Sequence, residues 1–314
     1  MLSTKAFVLN MLPLYLMVII GFLSRKRGIL TAYVKEAMTQ LLLYVTLPLL
    51  ILYSLNTSMT RAMLIEFTWL VTMSIFMIVS SALFASFLRK KADLPGHQKT
   101  VYESLIIFGN QGFIGVSIIY IIMGETGIMY VTFFNVCYLF FIWAYGIYIF
   151  TKKNNVADWK QVFFNPGVVS TLLGLSIMFS PLHWPEPFLR TFEMIGKMTI
   201  PLSMLLIGCL LADMKKTQVK SYLRNQYIWS AAVTRLCIIP MFLFVFLLFG
   251  VPYPLFVIAV ITSAMPSAST VSVYAQKFGG DVSFSTVGVM LTTILCLFTI
   301  PLLYTLLLWL SQYD

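Results

Sequence analysis

The sequence predicts an all-α polytopic membrane protein with about ten transmembrane helices, arranged as two five-helix repeats of opposite orientation. Three observations predict it: the composition, the placement of basic residues, and an internal repeat with one broken helix in each half. Of 314 residues, 60% are hydrophobic and only 10% are charged, whereas soluble domains carry roughly a quarter charged residues. Since a span needs roughly 20 residues, ten spans would fill nearly the whole chain and leave no room for a soluble domain.

The apolar stretches follow one another with short polar connections. The first is not a cleavable signal peptide, because its basic cluster Arg25-Lys26-Arg27 follows the apolar run instead of preceding it. The four cysteines lie in apolar stretches without metal-ligand spacing and are interpreted as small buried hydrophobic residues. The predicted spans are residues 6–23, 37–55, 66–88, 101–122, 126–150, 163–182, 189–211, 227–249, 254–275 and 283–310.

Basic residues predict the orientation. With the N-terminus outside, 16 of the 21 Lys and Arg residues fall in cytoplasmic loops, as the positive-inside rule requires. With ten spans both termini are then outside, in the plasma membrane. The net charge of +10 is explained by these loops, so we expect no nucleic-acid partner. The cytoplasmic set is Arg25, Lys26, Arg27, Lys35, Arg89, Lys90, Lys91, Lys99, Lys152, Lys153, Lys160, Lys215, Lys216, Lys220, Arg224 and Lys277.

A repeat emerges when the chain is compared with itself at an offset of 153 residues. Pro13 then matches Pro166, and the Thr-Leu-Pro-Leu run at 46–49 matches the Thr-Ile-Pro-Leu run at 199–202. We therefore expect repeats at residues 1–153 and 154–314 within one membrane unit. Because five spans is an odd number, the second repeat must enter the membrane inverted, which is typical of transporters that bind substrate at the midplane between the halves.

Two predicted spans contain segments that helices disfavour. The fourth carries GNQGFIG at 109–115, and the ninth carries SAMPSAST at 263–270. The offset superimposes Asn110 on Ser263 and Phe113 on Pro266. Broken helices at mid-membrane leave backbone groups that lipid cannot satisfy. The downstream half-helices, starting near Phe113 and Ser267, would aim two N-termini at the centre, which predicts an anion site without a basic side chain.

These runs resemble a known family. GNQGFIG resembles the first crossover of the auxin efflux carrier family of organic-anion transporters. AMPSAS at 264–269, followed by YAQKFGGD at 274–281, resembles its second crossover, and TILCLFTIP at 293–301 is similar as well. The resemblance implies a scaffold and a transport domain with crossed broken helices, in a compact bacterial-type member that handles malate-like or auxin-like carboxylates. The chain departs from the family at Gln111 and Ser117, which bears on the substrate.

The candidate substrate-binding residues come from the two breaks. Asn110 is the foremost of them, with capping of the second half-helix as its structural alternative. Glu103, about two turns before the first break, is a possible coupling residue or an ion-pair partner of loop lysines. The set is Asn110, Gln111, Gly112, Phe113, Ser263, Pro266, Ser267 and Ser269.

Two basic residues within spans are further candidates for contacting a carboxylate. Lys197 lies four residues before Pro201, but Glu193 four residues earlier offers it an ion pair. Arg235 is either functional, as intramembrane arginines commonly are, or close to the inner headgroups.

The predicted function is secondary transport of a small organic anion by alternating access. The alternatives are an ion-coupled symporter or exchanger of a different small solute, a membrane-embedded enzyme, and a sensor. We expect no catalysis, cofactor or metal. The expected partners are the anion and the lipid bilayer, and a homodimer through the scaffold helices is an open option.

Overall fold

The computed structural model describes residues 4–151, 166–213 and 222–312, and this part of the chain is helical without any β-strand. The basic positions 152, 153, 160, 215, 216 and 220 lie outside it. The helices are α1 (Thr4–Lys26), α2 (Ala32–Ser54), α3 (Arg61–Lys91), α4 (Gly96–Ile107), α5 (Val116–Thr151), α6 (Pro166–Met178), α7 (Glu186–Lys197), α8 (Thr199–Ala212), α9 (Gln226–Phe249), α10 (Tyr253–Ser263), α11 (Thr270–Phe278) and α12 (Val282–Leu310).

Seven helical segments in the described residues are long and apolar enough to cross a membrane. Two shorter apolar helices, α6 and α10, accompany them, and the predicted sixth span begins at 163–165, outside the described residues. The count of ten spans therefore stays a prediction. The seven are Lys5–Lys26, Ala32–Ser54, Arg61–Lys91, Gln111–Ile142, Glu186–Ala212, Gln226–Phe249 and Val282–Leu310.

Large apolar side chains on the outside of the bundle indicate contact with lipid. On α3 Leu83 is 68% exposed, and on α12 Phe298 and Leu302 are 66% and 69% exposed. A continuous surface of this kind is rare on water-soluble proteins and costly in water. In a bilayer the same side chains are at no disadvantage, so the chain is a multi-pass membrane protein.

The helices pack as two groups. In the first, α1 runs along α8, and α2 packs on α6 and α7. A Cβ atom on Gly21 would overlap the backbone of Leu205, and one on Gly208 would overlap that of Val18, so only glycine lets α1 and α8 touch at this distance. In the second group α3 packs on α4 and α5, α10 packs on α5, and α9 packs on α4 and α12.

Capping side chains and glycines with positive φ explain where several helices begin, end or are interrupted. Thr60 and Asp281 cap α3 and α12 by accepting hydrogen bonds from the backbone N–H groups of Met63 (3.2 Å) and Phe284 (2.9 Å). Gly279 ends α11 in the left-handed conformation with φ of 77°. Gly124, with φ of 63°, interrupts α5 near its start and divides it into two helical stretches.

Both predicted breaks are present. The chain leaves α4 at Phe108 and resumes as a π-helical turn, Gln111–Gly115, that leads into α5. It leaves α10 at Ala264 and resumes at Thr270. The first downstream helix thus begins two residues before the expected Phe113, and the second begins three residues after the expected Ser267. On the second side the residues before Thr270 are held by hydrogen bonds to other segments, such as the one from the N–H group of Ser267 to the hydroxyl of Thr292 (3.1 Å).

Candidate functional site

The two breaks, residues 108–110 and 264–269, cross each other and are joined by backbone hydrogen bonds. We call this region the crossing. Gly109 and Ser267 form an isolated antiparallel bridge. The N–H group of Asn110 donates to the carbonyl of Pro266 (2.7 Å), and that of Ala268 donates to the carbonyl of Phe108 (2.8 Å). Each unwound segment thus satisfies part of the other's backbone, which is how non-helical backbone survives inside an apolar bundle.

Arg235 of α9 holds the crossing together from one side. The residue is fully buried. Its Nε atom donates to the carbonyl of Met265 (2.8 Å), and Nη2 donates to that of Ser263 (2.8 Å). Its Nη1 atom donates to the carbonyls of Ile107 (3.0 Å) and Ile106 (3.3 Å). One guanidinium therefore joins the C-terminal ends of α4 and α10, and it lies deep in the bundle instead of near headgroups.

Gly109 is required at this place because the guanidinium fills the space beside it. A Cβ atom built on Gly109 would overlap Nη2 of Arg235. On α5 the hydroxyl of Tyr138, itself buried, donates to the Gly109 carbonyl (2.7 Å). The close approach of the guanidinium thus explains why glycine occupies this position. The hydroxyl of Tyr138, from another helix, satisfies the carbonyl of this glycine.

A cavity of about 90 Å³ adjoins the crossing. Four predicted site residues line it: Asn110, Gly112, Phe113 and Ser269. Both downstream half-helices begin at this cavity, so their first N–H groups, which no helical carbonyl accepts, lie beside it. The other lining residues are Leu43, Leu47, Gly109, Tyr138, Leu139, Ile142, Gly167, Ala268 and Thr270.

Asn110 does not use its side chain to cap the following helix. Its side-chain amide makes no capping hydrogen bond, and only its backbone groups are engaged, with Pro266 and with Gly115. Within the described residues the amide is therefore available to a ligand in the cavity. The hydroxyl of Thr270, at the start of α11, is likewise buried beside the cavity without a partner there.

Gln111 is fully buried, and both polar atoms of its side chain lack a hydrogen-bond partner among the described residues. An unpaired buried amide costs about 1–3 kcal/mol. A ligand or a water molecule at the crossing would remove this cost. Gln111 does not line the cavity as it stands.

The remaining residues of the second break are engaged structurally. The hydroxyl of Ser263 donates to the Val260 carbonyl (2.8 Å), and that of Ser267 donates to the Leu105 carbonyl (2.7 Å). Pro266 is buried and contributes its carbonyl to Asn110. These side chains hold the crossing, and a direct role in binding stays a prediction.

Lys197 lies elsewhere, at the end of α7. Its Nζ atom forms ion pairs with Glu193 (2.7 Å), as the sequence suggested, and with Glu125 (2.6 Å). Tyr53 of α2 donates its hydroxyl to the same Glu125 (2.7 Å). We call Tyr53, Glu125, Glu193 and Lys197 the lysine cluster. Lys197 does not line the cavity, so its placement gives no support to a substrate contact.

Glu103 is paired, but not with a loop lysine. Its side chain is 2% exposed and bonds Arg89, in the last turn of α3, at 2.6 Å. The hydroxyl of Ser86 donates to the other carboxylate oxygen (2.6 Å). The expected partner is thus corrected to Arg89, which reaches inward from the helix end. A coupling role for Glu103 stays a prediction.

Sequence reasoning missed three contributors to the crossing. Tyr138 and Thr292 lie in apolar helices, where tyrosine and threonine are common and mostly serve packing, so no local pattern marks them. Thr270 closes the SAMPSAST run of the second break but was not among the predicted site residues.

The interrupted, crossed helices in a lipid-facing bundle define the class of protein, a membrane transport protein. A family model described as a membrane transport protein matches residues 6–161 and 154–304. The chain therefore belongs to the auxin efflux carrier family of membrane transporters. It is also similar to an uncharacterized transporter of Methanocaldococcus jannaschii, with 21% identity over 200 residues, which cover 62% of this chain and 65% of that protein. The match thus spans slightly less than two thirds of the relative's length.

Proposed function

We propose that this protein is a secondary transporter that moves a small organic anion, a carboxylate, across the cell membrane by alternating access. The crossing carries this proposal. Two half-helices begin at one cavity, and each N-terminus bears about half a positive charge with free N–H groups. The Asn110 amide lines the same cavity without an internal partner. A carboxylate accepts hydrogen bonds from all of these donors.

The packing supports an inverted five-plus-five repeat within ten spans. At the offset of 153, α1 corresponds to α6, and α2 corresponds to the α7–α8 pair. The contact of α1 with α8 therefore corresponds to that of α6 with α2, and both are extensive. Local irregularities correspond too, since a π-helical turn ends at Thr46 and the α7–α8 junction falls at Met198. Exchange of contacts between halves is what a two-fold axis in the membrane plane produces.

The decisive test is transport by the purified protein. We expect proteoliposomes to take up, or exchange by counterflow, at least one member of a panel of radiolabelled mono- and dicarboxylates that includes malate and indole-3-acetate. Imposed proton and sodium gradients separate uniport, symport and exchange. Absence of uptake for every carboxylate, with uptake of a cationic or neutral solute instead, would refute the anion proposal.

Orientation is tested by labelling. In a cysteine-free background we expect Asp93→Cys to react only from the cytoplasm and Pro185→Cys only from outside. Both side chains are exposed in the structure. Position 155, a second cytoplasmic site by the same count, lies outside the described residues. Reversed labelling of both positions would contradict termini on the outside, and labelling of both from the same side would contradict the span count on which the inverted repeat rests.

Family membership points to transport instead of catalysis. The enzyme alternative predicts turnover of a bound carboxylate, and the sensor alternative predicts binding without movement. Recovery of chemically unchanged label inside the vesicles excludes both for that solute. A homodimer through the first helix group would be detected by mass measurement in nanodiscs.

A further inference from the structure

Arg235 is the fully buried charge that the crossing contains, and no carboxylate forms an ion pair with it in the part of the chain that the structure describes. Each of its hydrogen bonds goes to a backbone carbonyl at the end of α4 or α10. An isolated charge in a low-dielectric interior is costly unless opposite charge lies close by. Something other than an acidic side chain therefore stabilises it.

The helix ends supply the opposite charge. The C-terminus of a helix carries about half a negative charge, so the ends of α4 and α10 together carry about −1, which matches the guanidinium. The two downstream N-termini carry about +1 in total. With Arg235 the crossing sums to about +1, and without it to about zero. A singly charged carboxylate neutralises a crossing of about +1, whereas a doubly charged one leaves an uncompensated buried charge of about −1, whose desolvation is costly. Near these N-termini, the hydroxyl of Thr270, which lines the cavity, and the amide of Gln111 have no hydrogen-bond partner among the described residues and could bond a polar ligand.

We infer that Arg235, without touching the transported anion, sets the charge of the crossing so that it favours a singly charged carboxylate over a doubly charged or neutral analogue. The inference rests on the proposed anion site. Arg235 is a positioning residue by this account. Its guanidinium is separated from the cavity by Gly109, which contacts the guanidinium and lines the cavity.

The test uses ligands matched in shape and different in charge. Succinate, succinamate and succinamide carry two, one and no negative charges, and indole-3-acetate and indole-3-acetamide form a second pair. Binding to the full-length protein in nanodiscs is measured for the parent, Arg235→Gln and Arg235→Lys. Lys197→Met is the control, because it removes a positive charge that two carboxylates already neutralise.

We expect the parent and Lys197→Met to bind the singly charged member of each series about 10- to 100-fold more tightly than the others, the scale of one unit charge acting over several ångströms at an effective dielectric constant of about 20. Arg235→Gln should lose this preference, and Arg235→Lys should keep most of it. A purely structural role would change thermal stability in both variants and leave the preference unchanged.

Three outcomes would overturn the inference. They are an unchanged preference in a folded Arg235→Gln protein, loss of the preference in a folded Arg235→Lys protein, and a parent that prefers succinate to succinamate. The third outcome is measured on the parent protein and therefore does not depend on whether a variant folds. If the parent binds neither these charged probes nor any carboxylate of the transport panel, the proposed anion transport fails, and the inference falls with it.

Discussion

Two basic side chains in this bundle have opposite surroundings. Lys197 is about a third exposed and contacts two carboxylates, whereas Arg235 is fully buried and donates its hydrogen bonds to backbone carbonyl oxygens. The lysine cluster of Tyr53, Glu125, Glu193 and Lys197 already contains more negative than positive charge. The crossing contains no acidic residue among its described contacts. An added anion is thus disfavoured at the first place and favoured at the second.

A second comparison concerns neutral polar side chains. At the crossing, Gln111, Thr270 and Asn110 leave side-chain polar groups without partners among the described residues. Away from it, the side-chain oxygen of Asn56 accepts a hydrogen bond from the backbone N–H group of Trp184 (3.0 Å). Unpartnered buried atoms also occur outside the crossing, for example on Ser74 and Asn135, so only a ligand-dependent measurement distinguishes the two kinds of site. Each prediction below tests whether polar groups at the crossing serve a ligand while those elsewhere serve stability.

The largest effect is expected at Asn110. Asn110→Ala should weaken carboxylate binding by about 10- to 100-fold, since a hydrogen bond to a charged group contributes about 1.5–3 kcal/mol. The ligand-free melting temperature should stay near that of the parent, because the amide makes no capping bond. Thermal-shift measurements with and without carboxylate give both quantities.

Asn56→Ala is the matched control for Asn110→Ala. It removes an amide that does have a partner, so it should lower the ligand-free melting temperature and leave the ligand-induced shift intact. If the two variants behave alike, the distinction between the crossing and the rest of the bundle is lost.

A smaller effect is expected at Glu103, a paired carboxylate. Glu103→Gln should destabilise the protein by about 2 kcal/mol, because it weakens a charged hydrogen bond to Arg89 while the exposed side of Arg89 keeps its solvation. The pH profile of uptake should match the parent's. A flattened profile at unchanged stability would instead make Glu103 the proton-coupling residue.

A still smaller effect is expected in the lysine cluster. Lys197→Met should cost less than about 1 kcal/mol, because partly exposed ion pairs contribute little. Carboxylate affinity should not change. A tenfold loss of affinity in this variant would place Lys197 in the substrate path and would reverse the comparison with Arg235.

The smallest effect is expected at Asp213, which follows α8 and pairs with Arg25 and Lys35. Burial alone would raise the pKa of Asp213, but hydrogen bonds from Lys35 and Arg25 outweigh it and hold the pKa below its ordinary value. The unfolded chain therefore binds this proton at a higher pH than the folded chain does, and stability rises with pH.

Asp213→Asn should accordingly destabilise the protein by about 0.5 kcal/mol at neutral pH. The difference from the parent should be fully present above the ordinary carboxyl pKa of about 4 and should vanish as the pH falls through the lowered value. Melting curves from pH 3 to 8 test this. A difference that grows on acidification would contradict the assigned sign.

Much of the helical layout could be predicted from local sequence. Apolar runs of span length marked the membrane helices, since burial in lipid depends on composition alone. The glycines near 109–115 and Pro266 marked both breaks, because they act on their own backbone. The repeat at an offset of 153 also pointed to corresponding positions, and the two breaks it paired are in contact.

Only the tertiary structure decided which groups meet. Arg235 could equally have been near headgroups, and its carbonyl partners lie 28 to 129 residues away in the chain. Glu103 was expected to pair with loop lysines and pairs with Arg89 instead. Tyr138 gave no local signal before its hydroxyl was placed on Gly109. Apolarity and backbone preference act on each residue where it stands, whereas hydrogen-bond and ion-pair partners depend on how helices distant in sequence cross.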